Sequence, residues 1–287
     1  MLTIILISVL LIVLFVLFWL LLICPSDATP QDYETFANRA YAHRGLHSAE
    51  IPENSLAAFA AAAQAGYGIE LDVHMSKDGK IVVFHDDDFS RLCADKRRVD
   101  QTGYQQMRKL RLSGTEHTIP LLSKVLDTVG ARVPLIIEFK HRRDYKPFCD
   151  AAIAVLDGYT GAFCVESFDP RILAYLRKRR PKWMRGQLVC RSSGQRLWIE
   201  NFVFANLLLN LLSKPHFIAY RHEEMHNFNY RLATGVLKGL SAAWTVRSPQ
   251  DFEKLCGQDV DMIIFEDFEA PRILYDESEG AGTVNEI

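Results

Sequence analysis

The sequence predicts an α/β protein, a (β/α)8 TIM-type barrel preceded by a single N-terminal transmembrane helix. Three observations lead to this fold class. Residues 1–24 form one apolar run, residues 40–275 alternate short β-rich runs with helical stretches, and the runs that behave as barrel strands number eight. The 287 residues, 49% of them hydrophobic, are enough to bury the core of one such domain.

The N-terminal run, Met1–Cys24, consists almost entirely of Leu, Ile, Val and Phe, with Thr3 and Ser8 as its polar interruptions. About 20 apolar residues suffice for a helix to cross a bilayer. A cleaved signal peptide is the alternative, but this apolar core is longer than usual and no clear A-x-A cleavage site follows it. We therefore predict a retained single-pass anchor, while the side of the membrane that carries the barrel stays open.

Residues 25–39 are predicted to form a polar linker, residues 40–275 the barrel and residues 276–287 a C-terminal tail. The predicted barrel strands are Ala40–His43, Gly68–Val73, Pro134–Lys140, Phe163–Ser167, Arg185–Val189, Phe217–Tyr220, Ala242–Val246 and Met262–Glu266. Ile81–Phe84 follows an Asp-Gly turn and is predicted to be a hairpin strand outside these eight.

Helices are expected between the strands, several of them beginning at Pro, Ser or a capping Asn. They are Asn54–Gln64, Ser123–Val129, Pro147–Leu156, Pro170–Arg179, Arg221–Leu237 and Pro249–Leu255.

Two further stretches of the predicted barrel each have two interpretations. The apolar sequence WIENFVFANLLLNLL, between Leu197 and Lys214, is either a barrel helix with a broad buried face or an interfacial helix that docks on lipid beside the anchor. The basic cluster Arg177–Arg180 either meets anionic headgroups or is a solvated helix end. For each stretch, one interpretation is structural and the other requires a membrane nearby.

Histidines stand where predicted strands end. His43, with Arg44 beside it, follows the first strand, and His85 and Asp86 follow the hairpin run. Imidazole titrates in the range that acid–base catalysis requires. A lone histidine at a strand end is more often structural, so a catalytic role for either histidine depends on nearby carboxylates. Asp86 or another carboxylate could orient one of the imidazoles.

Three carboxylates are expected at the same end of the barrel. Glu70 and Asp72 lie two apart in a strand, so period two places both on one face, although a solvent-facing strand explains that spacing equally well. Glu138 lies inside the apolar run IIEFK, where an unpaired buried carboxylate is costly. Carboxylates crowded at neighbouring strand ends would repel one another without a cation, and both Mg2+ and Ca2+ suit oxygen ligands.

The motifs AHRG, PENS, ELDV…SKDG…VVFHD and IIEFK occur in this order, and the chain from about Ala40 onward resembles the glycerophosphodiester phosphodiesterase family. The resemblance implies a (β/α)8 barrel, a divalent metal ion and cleavage of a phosphodiester. It implies that His43 and His85 are the catalytic acid–base pair, with His43 as base and His85 as acid. The sequence itself does not decide which of the two is the base. Arg44 and Lys140 would bind the phosphate oxygens.

The last third of the chain departs from the family pattern. His216 stands where Asp is common, Arg247 where Asn is usual, and Phe265, Glu266 and Asp267 replace an I-T-D-x-P element. We expect these changes near the rim that contacts the alcohol group. Trp244 falls where the family carries an aromatic over the glycerol side of the substrate, with a core tryptophan as the alternative.

Composition excludes some partners. A net charge of −2 and a pI near 6.5 give no general case for nucleic-acid binding. Six scattered cysteines contain no CxxC pair and no zinc spacing, which favours small buried residues in a reducing compartment.

We therefore predict a metal-dependent phosphodiesterase that hydrolyses glycerophosphodiesters to sn-glycerol 3-phosphate and an alcohol. A lysophospholipase D acting on membrane lysophospholipids is the alternative within the enzymes, and an inactive membrane-tethered binding protein is the alternative of another class. The sequence leaves open the head group, the choice between Mg2+ and Ca2+, the topology and the oligomeric state.

Overall fold

The chain forms a closed parallel barrel, which we describe from a computed structural model over residues 1–190 and 198–274. The predicted tail lies outside the described residues. The strands are β1 Arg39–Ala42, β2 Gly68–Met75, β3 Ile81–Val83, β4 Leu135–Phe139, β5 Phe163–Ser167, β6 Arg185–Val189, β7 Phe217–Arg221, β8 Leu240–Val246 and β9 Met262–Phe265.

Eight of these strands close on one another. Their order is β1-β9-β8-β7-β6-β5-β4-β2, every pair is parallel, and a β1–β2 pairing completes the ring. β3 pairs with β2 antiparallel through a turn at Gly79, whose φ of 76° suits glycine. The predicted (β/α)8 barrel and its additional hairpin strand are thus confirmed.

The helices fill the connections. They are α1 Leu2–Ile23, α2 Pro30–Phe36, α3 Leu56–Ala65, α4 Ser90–Cys93, α5 Tyr104–Met107, α6 Leu122–Val129, α7 Tyr145–Leu156, α8 Pro170–Arg179, α9 Trp198–Ala205, α10 Asn210–Ser213, α11 Phe228–Arg231 and α12 Pro249–Cys256. Asp169 caps α8 by accepting a hydrogen bond from the backbone N–H of Arg171, with Pro170 at the first helical position.

Two sequence predictions about helices are wrong. The expected continuous helix Arg221–Leu237 is instead a 3-10 turn, the short α11 and a π-helical turn over Leu232–Val236. The Asn227 side chain accepts from the backbone N–H of Tyr230, which starts the α-helix only there. The cap of α3 is Ser55 and not Asn54, because the Ser55 hydroxyl accepts from Ala58 N.

The barrel interior is apolar below the C-terminal strand ends. Tyr41, Ile136, Phe217 and Ile264 belong to one fully buried cluster there. The predicted linker takes part in closing this cluster, because Phe36 of α2 is buried in it and the Tyr41 hydroxyl donates to the Phe36 carbonyl over 2.8 Å. The polar end of the barrel is therefore the opposite one, at the C-termini of the strands.

α1, with 22 residues, is long and apolar enough to cross a membrane. Its first 17 residues, Leu2–Phe18, are exposed. Its last residue, Ile23, is buried, and the Ile23 carbonyl accepts a hydrogen bond from Asn210 Nδ2 at 3.0 Å. The helix therefore ends in contact with the barrel at α10.

The apolar stretch that follows residue 197 divides between the two predicted interpretations. Ala205 and Leu207 are buried, as a barrel helix requires. Ile199 and Phe202 of α9, by contrast, are exposed. The stretch therefore contributes to the core at its centre, and it presents apolar side chains outward on both sides of that centre, at Ile199 and Phe202 and again at Leu211 and Leu212.

Candidate active site at the C-terminal end of the barrel

The three predicted carboxylates converge. Glu70 and Asp72 lie on β2 and Glu138 on β4, and the parallel register places Asp72 opposite Glu138. All three are buried, and one oxygen atom of each lies within 4.8 Å of the others. Side chains that point into the barrel at the C-terminal strand ends meet at one place, which is where barrel enzymes carry their active sites.

The charges in this cluster are unequally compensated. Burial raises the pKa of Glu70 well above its usual value, and the neighbouring Asp72 and Glu138 raise it further. Burial opposes ionisation of Asp72 as well, but Lys140 above all holds the pKa of Asp72 well below its usual range. The Lys140 Nζ lies 2.7 Å from Asp72 Oδ1 and 2.8 Å from Glu138 Oε2. Of the three carboxylates, Glu70 is therefore the one whose ionised form is least compensated.

Arg44 reaches the cluster from the loop after β1. Its backbone N–H donates to Glu70 Oε2 at 3.0 Å, and its Nε lies 3.4 Å from Asp72 Oδ2. Glu53 holds the far end of the guanidinium at 2.7 Å. The loop packs tightly, because a Cβ at Gly45, where φ is +81°, would come within 2.8 Å of the α3 backbone. The glycine of the AHRG motif therefore allows Arg44 to approach the carboxylates.

His43 lies between two carboxylates. Its Nε2 is 3.9 Å from Glu70 Oε2, and its Nδ1 is 3.2 Å from Glu266 Oε1. Glu266 also lies 3.1 Å from His47 Nε2 and 2.6 Å from the Arg247 guanidinium. Burial lowers the pKa of His43, and Glu266 partly opposes that shift. A neutral imidazole with one nitrogen directed to the cluster is suited to accept a proton.

His85 is held in a different environment. Its Nδ1 lies 2.6 Å from Asp86 Oδ1, and Asp86 in turn accepts from Arg91 Nε at 2.7 Å. The His85 side chain is 33% exposed, whereas that of His43 is 11% exposed. The carboxylate beside each imidazole can fix its orientation, and the two histidines differ in their access to solvent.

Trp244 lies on β8 toward the same end of the barrel and is partly buried. Its Nε1 donates to the Ala219 carbonyl at 2.9 Å, and its ring packs edge-on against Phe168 at 5.6 Å. The indole is therefore held by an internal hydrogen bond and by packing against the apolar cluster of the barrel interior.

Two polar residues of the site were not predicted, and a third was expected only near the rim. His47 was interpreted as structural, but it lies 3.1 Å from Glu266, and Glu166 of β5 lies beside Glu138 in register. Glu266, the residue expected near the rim, lies 3.2 Å from His43. Burial raises the pKa of Glu166 well above its usual value, and one of its oxygen atoms is buried without a hydrogen-bond partner among the described residues. Both glutamates follow the signal used for Glu138, a carboxylate inside an apolar β-run.

The departures from the family pattern do not all lie at the rim. Arg247 and Glu266 do, since they follow β8 and β9. His216 precedes β7, at the opposite end of the barrel, where its Nδ1 accepts from Arg185 N at 3.1 Å. Phe265 packs in the layer between strands and helices. The expectation that His216 lies near the rim is therefore wrong, and Phe265, although it ends β9, packs away from the barrel interior.

The residues present fit a divalent cation. Glu70, Asp72 and Glu138 supply three hard oxygen donors that are close together, and a cation would compensate the ionised form of Glu70. Carboxylate oxygens suit Mg2+ and Ca2+ alike.

A closed (β/α)8 barrel with acidic, basic and imidazole groups gathered at its C-terminal end has the general layout of a barrel enzyme. The model of the "Glycerophosphoryl diester phosphodiesterase family" matches residues 43–270. The chain belongs to this family.

Individual relatives agree with this assignment. The chain is 28% identical over 247 residues to a glycerophosphodiester phosphodiesterase of Caldanaerobacter subterraneus subsp. tengcongensis, covering 79% of this chain and 93% of the relative. It is 30% identical over 135 residues to a lysophospholipase D of Rattus norvegicus, covering 42% of each. In two Bacillus relatives the matched stretch spans only 45% and 44% of the relative's length.

Among solved structures, the chain is similar to an Oleispira antarctica phosphodiesterase in complex with the product sn-glycerol-3-phosphate. The TM-score is 0.68 at 24% identity, over 80% of this chain and 93% of the other. This likeness confirms the fold.

Proposed function

We propose that the chain hydrolyses glycerophosphodiesters to sn-glycerol 3-phosphate and an alcohol. The observation that carries the proposal is the cluster of Glu70, Asp72 and Glu138, whose oxygen atoms lie within 4.8 Å of one another beside Arg44 and Lys140. Such a site can hold a phosphodiester anion and offset its charge. The Caldanaerobacter relative, which aligns over most of this chain, is named for this activity.

Each side chain has a role in this reaction. Arg44 and Lys140 bind the non-bridging phosphate oxygens, Arg44 through its planar guanidinium and Lys140 as a point charge. His43, buried and held by Glu266, takes the proton of the nucleophile, and His85, open to solvent beside Asp86, returns a proton to the leaving alkoxide. A divalent cation bound by the three carboxylates supplies positive charge for the phosphate.

Two nucleophiles are compatible with these roles. The 2-hydroxyl of the glycerol can attack phosphorus, which releases the alcohol and forms a cyclic phosphate that water then opens. Alternatively, water attacks directly. A single-turnover experiment under conditions that arrest ring opening distinguishes them, because only the first route accumulates cyclic glycerophosphate.

The test is a panel of glycerophosphodiesters assayed for glycerol 3-phosphate, with and without chelator. We expect chelation, Glu70→Ala and His43→Ala each to abolish release, and readdition of Mg2+ or Ca2+ to restore it only for the unmodified chain. His117→Ala, which changes a histidine outside the cluster, is the matched control and should keep full activity. Activity that survives both Glu70→Ala and His43→Ala would refute the site assignment.

A second candidate is lysophospholipase D activity. It is favoured by the contact between α1 and the barrel, which would keep the active site near lipid, and the rat relative bears that name. Comparing choline release from lysophosphatidylcholine in vesicles with release from glycerophosphocholine decides between the two. A lysophospholipid rate at least about tenfold higher would favour the second candidate.

We propose further that α1 is a single-pass membrane anchor. Its 22 residues, apolar except for Thr3 and Ser8, and the exposure of Leu2–Phe18 are the support. Alkaline carbonate extraction of membranes from cells that express the full chain tests this, since an anchored protein stays in the pellet. Release into the supernatant, or an N-terminus that begins after residue 24, would refute it.

A further inference from the structure

One flank of the barrel exposes apolar side chains. Outside α1, most of the exposed large apolar side chains of the described residues fall between residues 199 and 236. We call this set the apolar flank: Ile199, Leu211, Leu212, Phe228 and Val236. Soluble proteins seldom leave so many large apolar groups together in water, so the flank requires a partner.

The members of the apolar flank lie on neighbouring elements. α9 and α10 connect β6 to β7, and the segment with Phe228 and Val236 connects β7 to β8. The Asn229 side chain donates to the Asn206 carbonyl at 3.0 Å, which joins the two connections. The exposed groups therefore belong to one continuous side of the barrel.

α1 ends on this same side. Asn210 Nδ2 donates to the Ile23 carbonyl at 3.0 Å, and Lys214 Nζ donates to the Cys24 carbonyl at 3.3 Å. One turn earlier, the Trp19 ring stacks on Phe228 with 5.7 Å between centroids and 5° between planes. The last turn of α1 is thus fixed against the flank, and the exposed apolar surface of α1 continues into it.

We propose that the apolar flank lies on the surface of the lipid bilayer that α1 enters. The inference rests on the membrane placement of α1 proposed above. Lipid is the occupant that the observations favour, because a bilayer around α1 would begin where Trp19 meets Phe228. Aromatic and aliphatic side chains at that depth replace water with acyl chains.

Charge near the flank agrees with a lipid surface. α8 packs against α10, and α8 ends in the basic cluster of the sequence. Arg179 and Arg180 pair with Asp150 and Asp157, whereas no ion pair involves Arg177 or Lys178 within the described ranges. These two cations are available to anionic headgroups.

The proposal fixes the orientation of the active site. Because the flank is a side of the barrel and not an end, the strands would run roughly along the membrane. The mouth would then open sideways, at the end of the barrel opposite the start of β7, where Lys214 meets the end of α1. The rim nearest to lipid would be that of β6 to β8.

Site-specific photo-cross-linking tests the proposal. The full chain is reconstituted in vesicles of phosphatidylcholine and phosphatidylglycerol, with benzoylphenylalanine replacing Leu211 or Phe228. Leu56 is the matched control, since it is 37% exposed against 38% for Leu211 and lies on α3, across the barrel from α10. Phe15, exposed in α1, reports on the anchor itself.

We expect roughly five-fold more lipid adduct at Leu211 and Phe228 than at Leu56, together with adduct at Phe15. Adduct at Phe15 with yields at the flank equal to Leu56 would overturn the inference and leave the anchor intact. The absence of adduct at Phe15 would overturn both. Protein–protein adducts at the flank would show that a second copy covers it, which also overturns the proposal.

Discussion

Glu266 is the residue through which the proposed role of His43 can be tested most sharply. The Glu266 Oε1 lies 3.2 Å from His43 Nδ1, so its negative charge favours the tautomer with the proton on Nδ1 and leaves Nε2, the nitrogen 3.9 Å from Glu70, to accept one. In Glu266→Gln the amide can donate to Nδ1 instead, which shifts the proton to Nε2. The substitution is isosteric, but it disfavours the tautomer that a base requires.

The expected loss of kcat can be sized from other enzymes in which a partner group orients a histidine. Removing such a partner typically costs 10- to 100-fold, or about 1.4–2.8 kcal/mol in the barrier. We expect Glu266→Gln to lower kcat by that amount with little change in KM, measured as glycerol 3-phosphate release at saturating metal. The thermal unfolding midpoint should be measured in parallel, because Glu266 also pairs with Arg247.

Arg247→Gln is the matched control. It removes the 2.6 Å contact to Glu266 but leaves the Glu266–His43 pair in place, and the Arg247 side chain is largely exposed. We expect it to change kcat less than about threefold. A Glu266→Gln protein that folds and keeps kcat within threefold would show that His43 does not act as the base, or does not depend on Glu266 to do so.

Three other predictions concern charge in the barrel. Glu138→Gln should weaken Mg2+ or Ca2+ binding by about 100-fold in calorimetric titrations of chelator-treated protein, because it removes one of three anionic donors; unchanged affinity would exclude Glu138 as a ligand. Glu166→Gln should raise the free energy of unfolding by about 1–3 kcal/mol at pH 7 in chelator, measured with urea, since it removes a buried carboxyl with one oxygen atom that has no hydrogen-bond partner within the described ranges. Burial raises the pKa of Glu166, so its cost grows with pH above 4.5, and the gain should shrink as pH falls toward that value. Burial lowers the pKa of His216 from 6.5 to about 4, so the stability that its neutral form contributes is complete above pH 6.5 and is lost as pH falls toward 4. His216→Asn should flatten the urea midpoint between pH 7 and pH 4, and a parallel decline in both proteins would contradict this.

The strands could be predicted well from sequence because parallel barrel strands are buried on both faces and read as short apolar runs. The helix over Arg221–Leu237 could not, because its side-chain pattern does not reveal that Asn227 caps a new helix inside it. Local hydrogen bonds decide where such a helix begins, and several choices are open to the same residues.

The site was predictable to the extent that each residue signals its own role. Glu138 stands out because a carboxylate in an apolar run demands a partner. Glu266 carries the same signal in IIFE, but its partner His43 is more than 200 residues away, and only the closure of the barrel brings β1 beside β9. His216 was wrongly expected near the site. It stands one position before β7, and a residue that precedes a strand lies at the end of the barrel opposite the active site.

Lys140 has a consequence beyond the phosphate-binding role proposed for it. Its ammonium group, 2.7 Å from Asp72 and 2.8 Å from Glu138, is a covalently attached counter-ion for two of the three carboxylates. Because this counter-ion belongs to the chain itself, we expect the barrel to stay folded in chelator. On the proposed function, activity would then return when a divalent cation is added back, without refolding.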